Sequence, residues 1–332
     1  MIGIFNDNFP PVLDGVGITA QNYAYWLKET GHDVSVITPY APNMQEVMGS
    51  ATYPIYRYVS VPIPFRAPYR YGLPFLDFRF MHQWRQMNFD LVHAHCPFTT
   101  GSLAYKISRR QQIPLVATFH SKYRQDFEHN VRCKPIVDWM VKQIIHFYEK
   151  ADEVWIPLPA VEETLREYGY KGHVEVVENG NDFYASKAQV AVMRGAMREE
   201  LGILPEETML LYVGQHTWEK NISFILESLA QIKDKPFHFF MVGTGYAVHA
   251  IRALIVQLGL SHRVTLLGCI HDRERLKRIY AAADLFLFPS LYDTCGLVVR
   301  ESAAMHTPSV LLRESTAATA ITDGENGFLA HN

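Results

Sequence analysis

Short runs of β-branched and aromatic residues alternate with helical patterns along the whole 332-residue chain. That rhythm admits little other than layered α/β architecture with parallel sheets. In the first half the predicted strands are Ile2–Asn6, Asp33–Thr38, Leu91–Ala94, Leu115–Phe119, Glu153–Pro157 and Val174–Val177. In the second half they are Met209–Val213, His238–Val242, Val264–Leu267, Leu285–Phe288 and Ser309–Leu312. The first helix is expected over Val16–Thr30, with Ala20, Tyr23, Ala24 and Leu27 on one face and a stop at Gly31. Helices of the second half are expected to begin near Asn221, Tyr246, Asp272 and Leu297. Turn chemistry at Asn179-Gly-Asn-Asp-Phe separates the halves, which predicts one domain over residues 1–185 and another over 186–332. Two Rossmann-like domains facing each other across a cleft is the expected architecture, with ligands outside the carboxyl ends of the strands.

Hydrophobic content of 48% and charged content of 20% fit a soluble globular enzyme. A net charge of −3 gives no electrostatic footprint for nucleic acid. The charge is spread unevenly, +2 over residues 1–155 (15 Lys/Arg against 13 Asp/Glu) and −5 over the rest, which tilts the first half toward anionic surfaces. Cys96, Cys133, Cys269 and Cys295 are far apart and form no C-x-x-C pair, so free thiols in a reducing compartment are expected. Met1 leads straight into a strand, and no apolar run approaches the ~18–20 residues of a membrane helix. The expectation is a cytoplasmic protein, at most peripheral to the inner face of a membrane.

The chemistry concentrates in Asp284-Leu-Phe-Leu-Phe-Pro-Ser-Leu-Tyr-Asp293-Thr-Cys-Gly296-Leu-Val-Val-Arg-Glu301. A strand runs into a polar loop holding Asp293, then Gly296, then a helix bearing Glu301 about two turns in. The loop and first helical turn offer unpaired amides, suited to a phosphate or sugar oxygen, while carboxylates suit hydroxyls. A nucleotide sugar carries both kinds of group. The alternative for this segment alone is an ordinary strand–loop–helix unit with two solvated acids.

Four further stretches join it. Asn8-Phe-Pro-Pro-Val-Leu-Asp14-Gly15-Val-Gly17 sets paired glycines between a strand and a helix, where backbone comes close to a ligand. It lacks the third glycine of a dinucleotide fingerprint, and a tight turn is the bland reading. Leu115-Val-Ala-Thr-Phe-His120 ends a strand in an imidazole, and His93-Ala-His95 does the same with two residues of one face. A metal pair at His93 and His95 is one reading, without a third ligand nearby in sequence and without an Asp-x-Asp motif. Tyr212-Val-Gly214-Gln215-His-Thr-Trp-Glu219-Lys220-Asn221 sets a lysine at a helix start, as a phosphate requires.

Together these segments resemble the retaining glycosyltransferases of family 4, which have the GT-B fold. The family's signature has two glutamates eight positions apart and a glycine three residues after the first. The spacing holds here, with Asp293 in the first place and Glu301 in the second. The strand ending in Gly-Arg, followed by Glu-Lys-Asn, is matched with Gln215 at the arginine and Lys220 at the lysine. The resemblance implies that Glu301 binds ribose hydroxyls and Asp293 sugar hydroxyls. It further implies that the amides of Thr294, Cys295, Gly296 and Leu297 hold sugar and phosphate, and that Lys220 stabilises the leaving diphosphate beside Gln215. Gly15 and Gly17 would approach the donor, and His120 would hydrogen-bond the sugar at the reacting centre.

The implied reaction moves a hexose from a nucleoside diphosphate sugar, with uridine favoured, to a hydroxyl of a lipid or saccharide. Anomeric configuration would be retained, and neither metal nor cofactor would be needed. Residues 56–85 carry Arg57, Arg66, Arg70, Arg79 and Arg85 among aromatics, a pattern suited to an anionic bilayer surface or to packing on the first domain. The chain stops at Gly324-Glu-Asn-Gly-Phe-Leu-Ala-His-Asn332, where the family continues for some fifty residues, so a C-terminally shortened second domain is expected. Gln215, Asp293 and that short end leave open a sugar-nucleotide-binding protein of weak or no activity. An epimerase of the same fold is a third reading.

Overall fold

Strands whose side chains face protein on both sides read as unbroken apolar runs, and the computed structural model shows this in two sheets. It describes all residues except 13, 65–67, 291, 292, 294, 295 and 332, and all side chains of those except 46, 47, 50, 129 and 130. The described chain divides into two units, Met1–Gly180 and Asn181–Asn332.

The strands of the first unit are β1 (Ile2–Phe5), β2 (Val34–Pro39), β3 (Ile55–Tyr58), β4 (Ser60–Pro62), β5 (Arg70–Gly72), β6 (Leu91–Ala94), β7 (Leu115–Thr118), β8 (Glu153–Ile156) and β9 (Glu175–Val176). Seven of them form a parallel sheet in the order β3-β2-β1-β6-β7-β8-β9, and β4 and β5 form a small antiparallel pair. All six residues of β2 are buried, including the polar Ser35 and Thr38. The first helix spans Gly15–Glu29, capped by the Asp14 side chain on the Gly17 amide. Ala20 and Ala24 are its most deeply buried apolar positions, and Gly31 ends it in the left-handed region at φ 90°. The helices Thr99–Gln111 and Lys134–Tyr148 bury Leu103, Ile107, Val137, Val141 and Ile144 in the core of this unit.

The second unit holds β10 (Thr208–Val213), β11 (Phe237–Val242), β12 (Val264–Gly268), β13 (Leu285–Phe288), β14 (Ser309–Leu312) and β15 (Gly327–Ala330). They form a parallel sheet in the order β12-β11-β10-β13-β14-β15. Tyr212, Phe286 and Phe288 fill its centre, the two phenylalanines stacked at 5.7 Å.

Both sheets reverse direction once. In the first, β1 to β3 run outward one way and β6 starts on the other side of β1. In the second, β10 to β12 run one way and β13 starts on the other side of β10. The loops after β1 and β6, and those after β10 and β13, therefore splay apart at their carboxyl ends, and a crevice opens there. Each predicted central strand is present to within about two residues at its ends. The edge strands β3 and β15 and the β4–β5 pair are additions to the predicted set.

Candidate active site

At the crevice of the second unit, β10 ends at Val213 and is followed by Gly214 and the exposed Gln215. The Tyr212 hydroxyl donates to the Gln215 carbonyl at 2.8 Å, which pins this loop to the strand beneath it. A short 3₁₀ turn, Trp218–Lys220, then leads through Asn221 into the helix Ile222–Gln231. Only glycine fits at 243 in the neighbouring loop, because a Cβ there would lie 1.9 Å from the Gly214 carbonyl oxygen.

On the other side of the crevice, the segment after β13 carries Asp293. Lys220 Nζ donates to Asp293 Oδ2 at 2.7 Å, with both side chains mostly buried. The lysine also sits 5.9 Å from the Phe288 ring centroid. Residues 73 apart in sequence thus form one cation–carboxylate pair at the switch point. Thr294 and Cys295 lie outside the described residues. Gly296 caps the helix Leu297–Ala304 with φ 57°, and a Cβ there would meet Ala317 Cβ at 3.1 Å.

Glu301 is the surprise of this unit. It shares a helix face with Leu297 and Met305, four residues to either side, and only 2% of it is exposed. Arg273 donates to its Oε1 at 2.7 Å, and the Tyr280 hydroxyl donates to its Oε2 at 3.0 Å. Arg273 also forks onto both oxygens of Asp182 and lies 4.4 Å over the Phe183 ring. Burial pushes the Glu301 carboxyl above its ordinary value against the pull of Arg273. Burial pulls the Arg273 guanidinium down, but Glu301 and Asp182 outweigh it and hold the cation above its usual range. Among the described residues each Glu301 oxygen accepts one hydrogen bond, which leaves a second lone-pair direction on each.

The first unit contrasts with this. Asp14 Oδ1 accepts the Gly17 amide at 2.5 Å, and burial pushes its carboxyl up to about 6. A Cβ at Gly17 would lie 3.2 Å from the Asn8 carbonyl, whereas Gly15 is exposed with open space around it. His120 follows β7 and is buried, its ring centroid 5.2 Å from that of His95 with the planes 15° apart. His95 Nδ1 and His120 Nε2 share a hydrogen bond of 2.9 Å. His93 lies 4.1 Å from His95 and shares a 2.7 Å hydrogen bond with the Thr118 hydroxyl. The edge of Tyr23 closes over both rings. Burial lowers His93 and His120 to about 3 and His95 well below its ordinary value, so all three are neutral at pH 7.

Comparison with known proteins bears on both units. Residues 13–183 match the model of Glycosyltransferase Family 4, and residues 207–332 match that of Glycosyl transferases group 1. The first match spans more than half of the chain. The chain belongs to glycosyltransferase family 4. This glycosyltransferase is 26% identical over 339 residues to the alpha-monoglucosyldiacylglycerol synthase of Acholeplasma laidlawii, covering 98% of the chain and 84% of that protein. The synthase of the same name from Streptococcus pneumoniae is 26% identical, covering 93% of the chain and 70% of that protein. Among solved structures, Anabaena Alr3699/HepE in complex with UDP and glucose superposes with a TM-score of 0.78 at 19% identity, over 99% of the chain and 85% of that protein. The expected GT-B fold is therefore that of this glycosyltransferase.

The structure brings Lys220 and Asp293 into contact, sets Gln215 on the loop beside Lys220, and places Glu301 inside the core with Arg273. Sequence reading named neither Arg273, Asp182 and Tyr280 nor the contact of His95 with His120. One signal for the first group was present. A glutamate at the i+4 position between Leu297 and Met305 stands on an apolar face, and a buried carboxylate requires a cation and hydroxyl partners.

Proposed function

We propose that this glycosyltransferase moves a hexose from a UDP-sugar to a hydroxyl group of a membrane lipid, with retention of configuration and without a divalent metal. The Lys220–Asp293 pair at the β10–β13 switch point carries this reading. It sets a phosphate-binding cation beside a hydroxyl-binding carboxylate, the two chemistries that a sugar diphosphate presents. Glu301 takes the ribose hydroxyls through its remaining lone pairs, held by Arg273 and Tyr280. The amides at the start of the Leu297–Ala304 helix receive phosphate or sugar oxygens.

The acceptor oxygen attacks the anomeric carbon on the face from which the diphosphate departs. The bond to the phosphate oxygen breaks, and that oxygen takes the acceptor proton, so no side-chain nucleophile is consumed. Lys220 and Gln215 stabilise the charge that grows on the leaving group. His120 hydrogen-bonds the sugar.

A lipid acceptor is supported by the surface around β5 and the Phe78–Trp84 helix. Phe78 is 83% exposed and Leu76 65%, with Tyr71 and Phe75 beside them and Arg79 and Arg85 exposed nearby. Phe80 and Trp84 of the same helix are buried in the core, so this segment both packs and presents. Phe65 and Arg66 of the basic–aromatic stretch lie outside the described residues. Apolar tips among arginines suit the interface of an anionic bilayer. Among the described residues no helix is long and apolar enough to cross a membrane. The names of the two synthases also point to a lipid.

Thermal unfolding with UDP, GDP, ADP and their hexose conjugates tests the donor. A shift confined to the uridine series, followed by an α-linked product with UDP-glucose and diacylglycerol, is the expected result. A shift with another nucleotide series, or a β-linked product, sinks the corresponding part. Sedimentation with anionic liposomes at low salt tests the surface, and Phe78→Asp with Leu76→Asp is expected to abolish pelleting.

A second reading is favoured by one observation. Lys220 is already neutralised by Asp293, with Gln215 rather than a cation on the adjoining loop. A protein that binds a sugar nucleotide and transfers slowly fits that charge balance, and gain of transfer on Gln215→Arg would support it.

A further inference from the structure

We infer that His95 is a positioning residue that holds His120 in one tautomer, with the proton of His120 on Nδ1. The inference rests on the reading that His120 serves the donor sugar, and its geometry lies wholly within the first unit. His95 follows β6 and His120 follows β7, and the parallel pairing of these neighbouring strands, His93 with Val116 and Ala94 with Ala117, carries both residues out of the same end of the sheet. The ring planes lie 15° apart with centroids 5.2 Å apart, so the rings meet edge to edge, and Nδ1 of His95 meets Nε2 of His120 at 2.9 Å. Two neutral imidazoles in such a contact have two choices, since one nitrogen must donate and the other accept.

The far side of His95 decides between them. Among the described residues its Nε2 is buried without a hydrogen-bond partner, and the residue is 0% exposed. If His120 donated, His95 would carry its own proton on Nε2, a buried N–H with no acceptor. If His95 donates, the orphan is a lone pair. Orphaned N–H groups are the rarer and costlier of the two in protein interiors. His95 therefore donates through Nδ1–H, His120 accepts at Nε2, and the proton of His120 resides on Nδ1. Burial keeps both rings neutral at pH 7, so neither choice is overridden by protonation. His93 packs against the His95 ring at 4.1 Å between centroids and is itself tied to Thr118.

The consequence is a hydrogen-bond donor of fixed identity. An imidazole free to exchange tautomers spends part of its time presenting a lone pair where a donor is required. His95 removes that ambiguity without touching the substrate.

The test uses the full chain labelled with ¹⁵N-histidine. Long-range proton–nitrogen correlation spectra, assigned with His95→Asn and His120→Asn, read each tautomer directly. The expected result is His120 protonated at Nδ1 and His95 protonated at Nδ1. Protonation of His120 at Nε2 overturns the inference whatever the enzyme's activity. Kinetics then separate positioning from packing. Asn places an amide donor where Nδ1 stands, so His95→Asn is expected to retain most of kcat. His95→Leu keeps the volume without the donor and is expected to lower kcat by about tenfold or more, with the donor KM unchanged. A His95→Leu enzyme with undiminished kcat overturns the positioning role even if the tautomer is as stated. A kcat indifferent to His120→Ala would count against the sugar-contact reading alone, because the tautomer still decides what His95 does to His120.

Discussion

The two units share a plan, a parallel sheet with one reversal of strand order, yet each solves the burial of polar groups at its own crevice in a different way. The first unit buries uncharged rings: His93, His95 and His120 pack and hydrogen-bond with one another and with Thr118. The second buries charges in pairs: Arg273 with Asp182 and Glu301, and Lys220 with Asp293. Neutral rings avoid the cost of desolvating an ion but become a liability when protons are plentiful. Ion pairs tolerate pH but fail badly when one partner is lost.

Removing one member of the buried network should give the largest effect. Glu301→Ala leaves Arg273 with Asp182 alone and strands the Tyr280 hydroxyl in the core. Breaking a buried pair in this way costs about 4 kcal/mol. Glu301→Gln keeps an acceptor for Arg273 and should cost less than half of that. Chemical denaturation measures the stability, and isothermal titration with UDP measures the pocket. Both variants should lose UDP affinity, but only the alanine should lose much stability. An alanine variant as stable as the parent would mean that the charges of the second unit are not interdependent.

Acid should separate the units next. His93 and His120 are held at about 3, below the ordinary histidine value of 6.5, so the unfolded chain takes up protons that the folded one refuses. Their stabilisation is complete above pH 6.5 and is lost as pH falls toward 3. By pH 5 the loss is about 2 kcal/mol for each ring. Asp14, raised to about 6, works in the other direction, because its carboxyl is easier to bury once protonated. It returns about 1 kcal/mol over the same interval. In the second unit His216, lowered to about 4 by burial and by the Arg252 charge, loses a similar amount to one such ring. Asp284, held below its ordinary value despite burial by the Met209 amide and Arg194, yields only below the usual carboxylate range. Hydrogen exchange by mass spectrometry from pH 7.5 to 5 should therefore show the first unit opening before the second. His93→Gln, which keeps a polar group toward Thr118 without a titrating ring, should narrow the gap. Simultaneous opening of both units would break the comparison.

These differences also mark what sequence could and could not show. Central strands such as Val34–Pro39 and Met209–Val213 were legible because burial on both faces favours apolar and β-branched residues along most of their length. The edge strand Ile55–Tyr58 buries only its two ends, and Gly327–Ala330 opens on a glycine, so neither carries such a run. The candidate site residues stood out through their local motifs. Their partners were not, because pairing is a product of strand order. Lys220 reaches Asp293 only because β13 lies beside β10, and His95 reaches His120 only because β7 lies beside β6. Local spacing holds no record of either adjacency. Glu301 is intermediate, since its helical face announced burial while Arg273, 28 residues away, could not be inferred from it.

The smallest expected effect is the sharpest probe of the charged side. Asp293→Asn leaves a group of nearly the same shape beside Lys220 but removes the charge that now neutralises it. A bare diphosphate should then meet a less compensated cation, and UDP should bind about five- to tenfold more tightly, roughly 1 kcal/mol. Transfer from UDP-glucose should move the other way, because the amide replaces the carboxylate proposed to accept the sugar hydroxyls. The tighter UDP binding should also weaken more steeply with added salt, as expected for a cation released from its partner. Opposite changes in product affinity and transfer rate are what a dual role for Asp293 requires. If UDP affinity is unmoved while transfer falls, Asp293 serves the sugar alone, and Lys220 is available to phosphate despite the ion pair. If both rise, the carboxylate is a brake on Lys220 rather than a ligand for the hexose.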